Sequence, residues 1–126
     1  MARPVYRSGS ARDENLTPRL GKDTIGKPGQ ASGLSTFSLL ELAVEPGGKA
    51  QVIDLEFLQS PLVGFGDEPL LEGGREGHVS IAPVNAEGKV DQPLLENWAR
   101  SRGVDKAHPL TELVKQALVA TVRRPR

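Results

Sequence analysis

At 126 residues the chain has the length of one domain built on one core. Its 16 basic and 16 acidic side chains cancel, so no whole-molecule field draws it onto nucleic acid or an anionic membrane. With no cysteine, disulfides and thiolate metal sites are excluded, and His78 and His108 stand too far apart in sequence to suggest a metal centre. No apolar run approaches the ~18 residues that span a bilayer, and Met1-Ala2-Arg3-Pro4 lacks a signal-peptide core. A cytoplasmic protein is therefore expected, made in place or delivered into a target cell.

Fourteen glycines and ten prolines give loops a large share of the chain, and the core must rest on Leu, Val and Ala with Trp98, Phe37, Phe57 and Phe65 as its bulky members. Pro4 to Arg7 reads as a short strand. Residues 8 to 32 read as loop, in which Arg19 to Asp23 and Ile25 to Gln30 set cations among glycines, as a solvated surface or a binding loop. Gly33 to Phe37 reads as a turn leading into a short helix over 38 to 44, with Ser38 and Glu41 as its capping box and Pro46-Gly47-Gly48 as its stop.

A strand is expected over 49 to 55, then loop from 59 to 77. Residues 77 to 83 give the cleanest strand, with Val79 and Ile81 on one face and His78 and Ser80 side by side on the other. Asp91 caps a helix carrying Leu94, Leu95, Trp98 and Ala99, which stops before Gly103. Pro109 opens a second helix whose stripe is Leu110, Leu113, Val114, Ala117 and Leu118, ahead of a frayed basic tail at 123 to 126. The whole is read as a single domain, 1 to 126, with its core at about 4 to 120.

Four fragments in order carry a resemblance: Val5-Tyr6-Arg7; Thr17-Pro18-Arg19 with Lys22-Asp23; Gly33-Leu34-Ser35-Thr36-Phe37; and Gly77-His78-Val79-Ser80-Ile81-Ala82-Pro83. Over roughly residues 4 to 102 the chain resembles the small ADP-ribosyltransferase-like toxins found among type VI secretion effectors and related toxin–antitoxin systems. The resemblance implies an α+β chain in a compact, twisted two-sheet ADP-ribosyltransferase-like fold with short helices and a cleft for NAD as substrate. It also implies transfer of ADP-ribose to an intracellular target, or hydrolysis of NAD, restrained by a cognate immunity or antitoxin protein.

Such a site must anchor a pyrophosphate, clamp the nicotinamide ribose and stabilise the positive charge that develops as the glycosidic bond breaks. Carried onto this sequence, the catalytic set is Arg7, Ser35, Thr36 and His78, and the NAD-binding set is Arg7, Arg19, Lys22, Ser35, Thr36 and Ser80. Arg7 suits phosphate because its planar fork can donate two parallel bonds, although a surface arginine ending a strand needs no ligand. Ser35 and Thr36 serve equally as plain helix caps, and a lone His78 as a structural residue. The family's late-strand glutamate has no counterpart, and Glu76 and Gln51 are the nearest substitutes.

Two other functions fit the residues. One is an RNA-cleaving toxin using His78 as acid and base with Arg7 and Arg19 on the phosphate, which the neutral charge weighs against. The other is a non-catalytic module that docks a partner on the Leu110 to Leu118 stripe.

Overall fold

The computed structural model describes residues 3–24, 33–58, 70–72 and 77–126, the third of these along the main chain only. The Ile25 to Gln30 stretch, Phe65, Glu76 and most of the loop expected at 59 to 77 lie outside the described residues. The chain is α+β. Strands β1 (Pro4–Ser8), β2 (Leu34–Phe37), β3 (Lys49–Asp54), β4 (Leu70–Glu72), β5 (His78–Ile81) and β6 (Leu118–Arg123) form one antiparallel sheet in the order β4-β5-β2-β1-β3-β6.

Pairing within this sheet is uneven. β1 pairs with β3 from Pro4↔Asp54 to Ser8↔Ala50, and β3 pairs with β6 from Lys49↔Arg123 to Ile53↔Leu118. On the other side β2 pairs with β5 from Leu34↔Ile81 to Phe37↔His78, and β5 with β4. These two triplets meet through the single pair Tyr6↔Phe37. Among the described residues the expected two sheets are thus one sheet with a seam between β1 and β2, held by one register position.

The short helices are α1 (Leu40–Ala43), α2 (Leu55–Leu58), α3 (Gln92–Arg100) and α4 (Pro109–Gln116), with a 3-10 turn at Asp13–Leu16. Asp91 caps α3 as the sequence suggests, its Oδ1 accepting from the Leu94 N–H at 3.2 Å, and a proline opens the first turn of each long helix. Their apolar stripes fold onto the sheet, so that Leu95, Trp98, Leu110 and Val114 bury against Val5, Leu34, Ile53 and Ile81. The Leu110 to Leu118 stripe is therefore core, with Leu110, Val114 and Ala117 buried, and it does not form a docking face. No helix of the described residues is long and apolar enough to cross a membrane.

Three expectations are corrected. Gly33 to Phe37 is not a turn before a helix, because residues 34 to 37 form β2 and the Ser38 N–H extends that ladder to the Gly77 carbonyl at 2.8 Å. Consequently α1 starts at Leu40 behind an uncapped Leu39, and the Ser38/Glu41 box does not form. Nor is the C-terminus frayed: β-branched Val119, Thr121 and Val122 lie in β6, Arg123 Nη1 donates to Gly47 O at 2.7 Å, and Arg124 Nη1 donates to Val44 O at 2.8 Å. Within the stretches read as loop lie the 3-10 turn and β4, and α2 follows directly on β3.

Two glycines set the approach of the strands that meet at β2. Gly33 has φ +136°, and a Cβ there would stand 2.6 Å from Ile81 O. Gly77 has φ +75°, and a Cβ there would stand 2.5 Å from Leu42 Cδ1. Each precedes its strand by one residue, so glycine at these positions lets β2 and β5 enter the ladder at the register that aligns Phe37 with His78.

Candidate functional site

The seam gathers the first group of residues singled out in the sequence. Arg7 lies on β1 beside the place where pairing to β2 stops, and its side chain spans the opening. Its Nη1 donates to Ser35 O at 2.9 Å and its Nε donates to Asn15 O at 2.9 Å, so the guanidinium ties β1, β2 and the 3-10 turn together. Among the described residues nothing partners Nη2. Since no buried side-chain nitrogen or oxygen lacks a partner there, Nη2 is open to solvent. Burial draws the guanidinium below the ordinary arginine value, Asp23 opposes that shift, and Arg19 and Arg102 add to it. It stays cationic.

The next strand presents a second contact. Ser35 Oγ lies 2.6 Å from His78 Nε2, and the His78 ring meets Phe37 edge-on at 5.2 Å between centroids. The register explains both contacts, because Phe37 is opposite His78 and Ser35 lies two residues along on the same face. Ser35 thus links β1 and β5, its hydroxyl to His78 on one face and its carbonyl to Arg7, whose side chain leaves the other face of β1, although 28 and 43 residues separate them along the chain.

Other expected members are placed differently. Thr36 alternates to the opposite face of β2 from Ser35, is fully buried, and donates from Oγ1 to Val79 O at 2.7 Å, which leaves it a strand-bracing role. Ser80 pairs with Ser35 across the ladder and is buried. Arg19 is exposed and turned to Asp23, with Nε at 3.3 Å from Oδ2, while the same carboxylate accepts from the Arg19 N–H at 2.6 Å. Lys22 is exposed in the turn that this pair closes. Gln51 cannot replace the missing acid: its Nε2 donates to Gly9 O at 3.1 Å and its Oε1 accepts from Thr121 Oγ1 at 3.0 Å.

One participant was not signalled by the sequence. Arg102, in the turn after α3, donates from Nε to Glu14 O at 2.9 Å and so joins the charged group around Arg7. It belongs to no motif, and only folding brings it to residue 14, 88 positions away.

On the helix side of the 3-10 turn lies an open cavity of about 480 Å³, lined among others by Asp13, Glu14, Thr17, His108 and Thr111. Its buried end is a directed chain of hydrogen bonds. Trp98 Nε1 donates to Thr111 Oγ1 at 2.8 Å, and Thr17 Oγ1 donates to Asp13 O at 2.7 Å; the 2.7 Å contact between the two hydroxyls must then run from Thr111 to Thr17. His108 caps α4, with Nδ1 accepting from the Leu110 N–H at 3.1 Å and Nε2 at 2.8 Å from Asn97 Oδ1. Both ring nitrogens are engaged. Among the described residues no cluster of His, Asp or Glu is arranged to hold a metal ion.

Comparison of the chain with protein-family models, with curated proteins and with solved structures finds no match.

Proposed function

We propose that the protein is a toxin-type enzyme that binds NAD at the seam and transfers ADP-ribose from it to an intracellular acceptor, or hydrolyses it. The observation that carries this reading is the Ser35–His78 pair on one face of β2 and β5 with Arg7 fastened to the Ser35 carbonyl from the other face of β1, all at the seam where the two halves of the sheet are joined by a single pair. A compact, twisted two-sheet ADP-ribosyltransferase-like fold with a cleft for NAD is the architecture the sequence resemblance implies, and this reading takes the seam as that cleft.

The residues fit the ligand in part. Arg7 has an open Nη2 on a guanidinium already fixed at two points, which suits a phosphate oxygen. In the tautomer with Nε2 unprotonated, Ser35 donates to His78 and turns its lone pairs outward. Those lone pairs stabilise positive charge on a ribose. As nicotinamide leaves with the bonding electron pair, water or the acceptor bonds to the ribose carbon, and its proton passes through Ser35 to His78. A cognate immunity protein that covers the seam is the partner this reading calls for, and the target cell's cytoplasm is its place of action.

Nicotinamide release from NAD by the purified chain, followed by chromatography, tests the proposal. Release is expected, with strong loss in Ser35→Ala and His78→Gln. A chain that neither binds nor consumes NAD, or variants that release nicotinamide at the original rate, would rule it out. Acid–base cleavage of RNA finds less support, because a second titrating group is needed beside His78 and the other histidine has both nitrogens engaged in the α4 cap.

A further inference from the structure

We infer that Arg102 is a second phosphate-binding residue beside Arg7, so that the seam selects a ligand with two adjacent phosphates, a nucleoside diphosphate or a dinucleotide containing one. This rests on the reading of the seam as a nucleotide site, but not on any NAD chemistry.

The 3-10 turn holds the two guanidiniums together. Glu14 O accepts from Arg102 Nε and Asn15 O accepts from Arg7 Nε, each at 2.9 Å, and consecutive residues place these carbonyls on Cα atoms only ~3.8 Å apart. Arg102 is held at Nε alone, whereas Arg7 is held at Nε and at Nη1. Among the described residues nothing partners either terminal nitrogen of Arg102 or Nη2 of Arg7. The carboxylate in this group, Asp23, is bonded to Arg19 and forms no ion pair with Arg7 or Arg102. One carboxylate, Asp23, stands against the three guanidiniums of Arg7, Arg19 and Arg102, so the group keeps a net positive charge that a bound dianion neutralises. Phosphate is the anion whose oxygens match two forks, and paired phosphates match a pair of guanidiniums.

The sequence resemblance puts Arg19 and Lys22 beside Arg7 on the ligand. Arg19 spends its Nε on Asp23, whereas Arg102 comes from a different part of the chain and is fastened to the same turn as Arg7.

The test is calorimetric titration of the full chain with ADP and with AMP, for the original protein and for Arg102→Gln. Glutamine retains an amide donor for Glu14 O and removes the charge. ADP is expected to bind about tenfold more tightly than AMP, the scale of one charge-assisted hydrogen bond, with that preference abolished in Arg102→Gln while the thermal midpoint is unchanged. Equal affinity for ADP and AMP, a preference that survives in Arg102→Gln, or no binding of either nucleotide would overturn the inference. If ADP is preferred through Arg102 but NAD is never consumed, the transferase reading fails and this one stands. If NAD is consumed and ADP is not preferred, the reverse holds.

Discussion

The 3-10 turn at Asp13–Leu16 separates two polar clusters that are closed to different degrees. On its helix side the chain Trp98, Thr111, Thr17 and Asp13 O passes one hydrogen bond to the next, and Thr17 and Thr111 are 2% and 1% exposed. On its seam side the next two carbonyls, of Glu14 and Asn15, hold Arg102 and Arg7 by their inner nitrogens and leave both terminal nitrogens of Arg102 and Nη2 of Arg7 open. A buried network with every partner present stabilises the fold and has nothing left to offer a ligand. A charged pair held in place but not neutralised offers much and adds less stability. The state of completion of the hydrogen bonds, rather than residue type, distinguishes the two clusters.

The sharpest way to break this contrast is Thr111→Val. It leaves the Trp98 indole N–H without its acceptor and Thr17 Oγ1 without its donor, so about 3 kcal/mol of stability should be lost in urea unfolding. Nucleotide binding by the fraction that remains folded should not change. A loss below a few tenths of a kcal/mol would show that the helix-side network is dispensable.

On the seam side Arg7→Gln should act mainly on the ligand. Nicotinamide release is expected to fall on the order of 100-fold, the scale observed when one preorganised donor is removed from a reacting site. Because the glutamine amide nitrogen takes the place of Nε on the Asn15 carbonyl and only the half-buried bond to Ser35 O is lost, the thermal midpoint should move much less than in Thr111→Val. If Arg7→Gln unfolds the chain as severely, the guanidinium is a strut and the contrast collapses. Smaller again is Ser35→Ala, which removes a half-buried hydrogen bond to His78 and should cost about 1 kcal/mol of stability. It should slow NAD turnover by more than that stability change accounts for, a split that separates a working hydroxyl from a structural one.

How far the sequence reveals this arrangement depends on the range of the signal. β5, α3 and α4 were readable because strand alternation at Val79 and Ile81, the Asp91 cap and the Leu and Trp stripes are local patterns that agree with their burial. β2 was not readable, since Ser35 and Thr36 look like cap residues until Gly33 and Gly77 align them with β5. β6 was masked because the α4 stripe runs through Ala117 into Leu118, and helix and strand share that boundary. Arg7, Ser35 and His78 could be named from the resemblance, but their contact needs the ladder register. Arg102 carries no local signal at all, because its relation to Arg7 exists only through two carbonyls of one turn.

The smallest expected effect lies at the edge of the helix-side cluster, where His108 is complete only while neutral. Its Nδ1 accepts the Leu110 N–H, and burial lowers its pKa from the ordinary histidine value. In the window between that lowered value and the ordinary value near ~6.5, the unfolded chain binds more protons than the folded one, so stability rises with pH through the window and is level above it. As pH falls from about 7 to about 5, the charging imidazole sets an N–H against the Leu110 N–H and the α4 cap is lost, which at this largely solvated position should cost less than about 1 kcal/mol. His108→Asn supplies a cap that does not titrate. Carboxylates elsewhere contribute equally to both proteins, so the difference between their thermal midpoints isolates His108, with the original protein losing ground to the variant as pH falls. Two parallel curves from pH 7 to 5 would show that the ring's charge state has no bearing on the cap.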